Sequence, residues 1–144
     1  MTMPMRAALG FLAAVLSVLT FHQAMWGVLY LGGMMPRPPY PMGPVPPFGV
    51  PLIASLCFWG GLYGLVFGVV LPRLPRQPTW LLGLGLGIVA ALVGWFVVAP
   101  LKGQPLASGF DPARMLVSLL INGFWGIGVG VILPMLMPRA TARI

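Results

Sequence analysis

The chain has 144 residues, of which 59% are hydrophobic and only 6% charged, with eight Lys and Arg against one acidic residue, a net charge of +7 and a mean hydropathy of +0.99. A water-soluble domain of this size needs far more charge to cover its surface, so the composition excludes one and implies an integral membrane protein. The charged side chains sit in short segments between four long uncharged runs.

A bilayer core of about 30 Å takes about 20 residues of helix at a rise of 1.5 Å each. Residues 7–31, 51–71, 79–100 and 115–133 each meet that length. None alternates with period two, which argues against a membrane β-barrel, and helices satisfy their own backbone groups in lipid. The predicted fold is all-α: four transmembrane helices in one domain covering residues 1–144, with no soluble domain.

The first run follows Arg6, as a secretory signal would. A signal's apolar region spans about 7–15 residues and ends at a small-x-small site. This run instead continues through Phe21, Trp26, Tyr30 and Leu31, so it is expected to stay as a helix. His22 and Gln23 are its strongly polar pair, about 13 Å below the outer end by helical rise. The connection at 36–51 holds eight prolines in sixteen residues, with Tyr40, Phe48 and Gly49 among them. Proline fixes φ and removes a donor, so this outer loop should be an extended strap. It is expected to space two helix ends stiffly, to cover the outer mouth or to dock a partner.

The second run carries Ser55, the lone Cys57 and a row of small residues, Gly60, Gly64 and Gly68. With one cysteine no intrachain disulfide can form. Residues four apart drift only slowly around a helix, so the glycine row marks one face. Lipid provides no hydrophobic drive for helices to associate, and close backbone approach at small residues takes its place. Pro72, Pro75 and Pro78 make the following inner turn short. The third run continues the theme with Gly83, Gly87, Ala91 and Gly94, though Gly83, Gly85 and Gly87 could equally give flexibility. Tight packing is expected among helices two, three and four, or between protomers.

Asp111 before Pro112 reads as an N-cap, with Arg114 as its surface partner. The fourth run then holds Ser118, Asn122, Gly126 and Gly130, and Pro134 with Pro138 should end it. Trp26 and Trp95 suit the outer interface and Trp80 the inner one, whereas Trp59 and Trp125 should pack inside the bundle.

Orientation follows from the basic residues. With cytoplasmic termini, Arg6, Arg73, Arg76, Arg139 and Arg143 lie inside, and Arg37, Lys102 and Arg114 lie outside with Asp111. That asymmetry favours both termini on the cytoplasmic side. The net positive charge then serves topology and attraction to anionic lipid, and no basic cluster with interleaved aromatics suggests nucleic-acid binding.

The halves of the chain resemble each other. A shift of 62 residues places Gly61, Gly64, Gly68, Leu71 and Pro72 on Gly123, Gly126, Gly130, Leu133 and Pro134. A shift of 69 places Trp26 on Trp95 and Pro36 on Pro105. Two helical hairpins in a parallel pseudo-repeat are expected, related by an axis along the membrane normal.

Few residues could carry chemistry. Intramembrane polar groups are costly in lipid and face the bundle interior, where they pair or line a cavity. His22, Gln23 and Asn122 lie at matched depth, with Ser118 and Ser55 nearby, so they form the candidate polar site, for binding or for packing. No acid lies within a helix, which removes the usual carboxylate of a proton-coupled carrier. No phosphate loop, paired carboxylates, zinc-type histidine motif or Ser-His-acid set is present. One histidine cannot supply two axial haem ligands, and Met34, Met35 and Met42 follow no ligand spacing, so neither cofactor nor metal is expected.

Seven Arg against one Lys, with many Gly, Ala and Pro, point to a GC-rich and so bacterial genome. The leading expectation is a non-catalytic accessory or assembly subunit of a bacterial inner membrane. Its partners would be the lipid bilayer and a second copy or a larger membrane complex. The alternatives are a small channel or carrier built on the polar site and, third, a haem- or metal-binding redox subunit.

Overall fold

The computed structural model describes residues 1–139. Four long apolar helices dominate it: α1 (Met3–Leu31), α2 (Leu52–Arg73), α3 (Thr79–Leu101) and α4 (Pro112–Leu136), each long and apolar enough to cross a membrane. The chain is a multi-pass, all-α membrane protein by length and composition.

Helix ends follow local chemistry. The Thr2 hydroxyl caps α1 by accepting from the Met5 amide, and Pro4 sits in the first turn, so this helix begins earlier than its uncharged run. Asp111 caps α4, its carboxylate accepting from the Ala113 amide at 3.1 Å, with Arg114 at 3.6 Å. At its other end, Pro134 does not stop α4 as expected. The helix continues to Leu136, and the Met137 amide closes the last turn onto the Leu133 carbonyl at 3.2 Å. A proline removes only its own amide hydrogen bond and presses on the carbonyl four residues back, here that of a glycine, Gly130.

The proline-rich connection is not a plain extended strap. Pro44–Val45 (β1) and Val50–Pro51 (β2) pair antiparallel as a short hairpin, with a cis Pro46–Pro47 bond and Phe48 at its exposed tip.

Neighbours in space run in the order α2, α1, α4, α3. Helix α1 lies along α2, α3 lies along α4, and α1 meets α4 at the centre. The core fills that central seam: Ala13, Ala14 and Val18 of α1 meet Trp125, Val129 and Leu133 of α4, each at most 3% exposed, with Phe67 and Leu71 of α2 alongside.

In the outer pairs the backbones nearly touch. A Cβ added at Gly64 would overlap the Gly10 carbonyl and the Ala14 methyl, and one at Gly68 would overlap the Arg6 carbonyl. On the other side, Cβ atoms at Gly126 and Gly130 would overlap the Gly83 and Thr79 carbonyls, and one at Gly87 the Asn122 carbonyl. The row on α2 therefore packs against α1, not against α3 or α4 as expected. Gly10 and Ala14, four residues apart on α1, supply the complementary small face that the expectation passed over. Gly60 lies at the edge of this row, against Val18 and the Trp125 ring.

Two of the tryptophans are not where their depth suggests. Trp59 is 59% exposed on the outer face of α2, and Trp95 is buried under Ala107. A helix that is apolar all round gives large side chains no polar face to avoid.

Candidate functional site

The polar residues of the membrane region resolve into three arrangements. The first gathers around Gln23 in the C-terminal half of α1. Val18–His22 forms a π-turn, a local widening of the helix often found where side chains must be re-aimed. His22 closes this turn and Gln23 follows it directly, and both are buried. The Gln23 side-chain oxygen accepts from the Tyr40 amide at 2.6 Å, so its amide nitrogen is left to donate to Nδ1 of His22 at 3.0 Å. That fixes the imidazole as the neutral tautomer with its proton on Nε2. The ring lies beside Trp26, with centroids 6.2 Å apart.

Tyr40 belongs to the proline-rich connection, and its own contacts hold it over this pair. Its hydroxyl donates to the Leu19 carbonyl at 2.7 Å, a carbonyl in the π-turn. Its φ of 59° places it in the left-handed region, which is unfavourable for a residue with a Cβ and persists where surroundings enforce it. Trp26 Nε1 donates to the Arg37 carbonyl at 2.9 Å, tying down the same connection one turn further out. On the far side, the Pro41 and Gly43 carbonyls accept from Ile53 and Leu52, satisfying two of the free amides at the start of α2. The connection is thus a strap fastened to α1 and α2.

The second arrangement is Asn122 with Ser118. The Asn122 side-chain nitrogen donates to the Ser118 carbonyl at 2.9 Å and approaches its hydroxyl at 3.4 Å, all within one turn of α4. Among the described residues no hydrogen bond joins this pair to His22 or Gln23. Ser55 is half-buried in α2 and belongs to neither. The structure thus brings His22 to Gln23 and Asn122 to Ser118, as separate pairs. The Asn122 backbone faces Gly87 of α3, on the side of α4 that serves the α3 contact.

The third arrangement lies in the central seam. Ser17, fully buried, donates to the Trp125 carbonyl at 2.6 Å, and Trp125 Nε1 donates back to the Ala14 carbonyl at 3.2 Å. Gly128 makes room for it, because a Cβ there would overlap Ser17 Oγ and crowd the Phe21 ring. Phe21 in turn packs on Phe124, with centroids 5.1 Å apart. Ser17 is a residue the sequence reading missed; the signal available was a hydroxyl one turn away from two alanines in an apolar run.

His22 Nδ1 is engaged by Gln23, and no three His, Cys, Asp or Glu side chains cluster among the described residues. What the arrangement can do is hold helices and strap in one register. No protein-family model, curated protein or solved structure matches the chain.

Proposed function

We propose that the protein is a non-catalytic accessory or assembly subunit of a bacterial inner membrane, a four-helix scaffold that presents its strap to a partner. One observation carries this reading: the polar groups of the seam and strap are spent on one another, Ser17 with Trp125 and Gln23 with His22 and Tyr40. Such bonds fix packing, at about 1–2 kcal/mol or less each. The seam they flank is filled by Ala14, Val18, Trp125 and Val129. The strap's exposed Tyr40, Met42 and Phe48 are the side chains it offers outward.

In this reading both termini are cytoplasmic. Arg6, Arg73, Arg76 and Arg139 share the inner end without an acid, whereas Arg37, Lys102 and Arg114 share the outer end with Asp111. Arg143 belongs to the same expectation but lies outside the described residues. The two hairpins are a parallel repeat, supported by their contacts: the carbonyls of Gly10 and Arg6 stand to Gly64 and Gly68 as those of Gly83 and Thr79 stand to Gly126 and Gly130. That correspondence is a shift of 73 residues between α1 and α3, one turn away from the 69 that superposes Trp26 on Trp95. The glycine rows are used within each hairpin, so a second copy or a larger complex would meet other surfaces.

The alternative reading, a small channel or carrier, has one observation in its favour: the π-turn and buried His22–Gln23 pair lie directly beneath the strap. A photo-crosslinking residue placed at Phe48 in living cells tests both. An accessory subunit yields one discrete heterologous adduct from that position, and none from an outward lipid-facing position such as Val66. Adducts to lipid alone, together with solute flux in liposomes that Gln23→Leu abolishes, would replace this reading with the alternative.

A further inference from the structure

The inner end of the first hairpin holds a cleft whose charge no described side chain neutralises. Gly68 lets the Arg6 backbone press against α2, one turn before α2 ends at Arg73. The two arginines then line a common open cleft of about 430 Å³, walled by Met3, Val69 and Pro72. Arg6 Nη1 is shielded from solvent and has no hydrogen-bond partner among the described residues. Arg73 reaches only the Val69 carbonyl, at a long 3.5 Å. Two guanidinium groups beside one cleft repel each other, and a buried guanidinium nitrogen without an acceptor is costly. The chain has a single acidic side chain, Asp111, and it is paired with Arg114 at the other end of the bundle. Among the described residues no side chain supplies the counter-charge, which leaves the cleft open to an anion from another molecule.

We propose that this cleft binds the phosphate of an anionic glycerophospholipid, held between Arg6 and Arg73. Guanidinium groups match phosphate oxygens with paired hydrogen bonds, and basic pockets between helix ends at the membrane surface are where headgroups lodge. The N-terminal end of α1 adds the positive pole of its helix dipole to the same cleft. Val66, Val69 and Arg73 fall on one face of α2 at spacings of three and four residues, so an apolar track leads from the cleft toward the bilayer centre. Val66 on that track is 57% exposed, free to receive an acyl chain.

The test uses the full chain in mild detergent, with lipid retention read by native mass spectrometry. Phosphatidylglycerol should be retained over phosphatidylcholine of the same acyl length by about tenfold or more, and Arg6→Gln with Arg73→Gln together should abolish that preference. Arg76→Gln with Arg139→Gln removes the same charge from the same end and should leave the preference intact. If the double cleft variant does not fold, Arg73→Gln alone, at an exposed position, carries the test with a partial loss. Equal retention of both lipids, or equal losses in the two double variants, would overturn the proposal. Inorganic phosphate supplies the remaining arm: competition for the cleft at micromolar concentration without any lipid preference would assign the site to free phosphate and overturn the lipid.

Discussion

The two hairpins solve the same problem with different materials at the end of the bundle that carries the 36–51 connection. Helix α1 has a π-turn at Val18–His22 and α3 has one at Gly94–Val98, and in each case the connection that follows the helix folds back over it. In the first hairpin the covered residue is Gln23, and the strap satisfies it through the Tyr40 amide. In the second it is Trp95, covered by Ala107 from a turn in which Ala107, Ser108, Gly109 and Phe110 all have positive φ. The Trp95 indole N–H is left without an acceptor. A polar cap covers one π-turn and an apolar plug the other. The polar one specifies a unique register for a strap of eight prolines, whereas the apolar one relies on shape.

The glycine seams are where the hairpins are most alike, and breaking them should have the largest effect. Gly64→Val and Gly126→Val each place side-chain atoms where a facing backbone already lies. Overpacking against backbone that cannot yield costs about 1–3 kcal/mol or more. Both variants should lose folded protein to a similar degree in SDS-titration unfolding from mixed micelles. Gly85→Ala, with nothing within 4 Å of the added methyl, should be neutral or slightly stabilising. A large loss from Gly64→Val with none from Gly126→Val would mean that the seams are not equivalent.

The polar cap comes next. Gln23→Leu removes the acceptor for the Tyr40 amide and the donor to His22 together, at a cost of about 1–3 kcal/mol if the amide stays buried and unpaired. Hydrogen exchange at Tyr40 and proteolysis within 36–51 should both accelerate. Asn122→Leu, whose bonds lie within one helical turn, should change neither. An equal response to the two substitutions would argue that Asn122 communicates with the strap after all.

How much of this was legible beforehand follows from where polarity marks a face. The four spans could be read because lipid imposes a length and forbids charge, and the Asp111 cap because its chemistry is local. The spatial order of the helices could not be read. A helix as uniformly apolar as α2 carries no polar stripe to orient it, so Trp59 was expected inside and lies outside. The glycine row did mark a buried face, yet it did not say which helix would meet it, because Gly10 and Ala14 on α1 are as suitable as the glycines of α3. For the candidate site, depth alone grouped His22 and Gln23 with Asn122. Depth cannot distinguish the sides of α4, and Asn122 had a hydroxyl one turn away on its own helix. The part played by Tyr40 was hidden because a backbone amide in a left-handed turn leaves no signature in composition.

The indoles of the two hairpins give the smallest and most discriminating effect. Trp125 Nε1 bonds the Ala14 carbonyl across the central seam, whereas Trp95 Nε1 has no acceptor. Replacing either by Phe removes ring volume and a donor together, so the difference between the two variants isolates the bond. Trp125→Phe should cost about 0.5–1.5 kcal/mol more than Trp95→Phe in the same unfolding assay. The Ala14 carbonyl is also an acceptor within α1, which keeps the penalty at the low end. A Trp95→Phe variant less stable than Trp125→Phe would show that the second hairpin's plug depends on an acceptor for its indole, and the contrast between polar cap and apolar plug would then collapse.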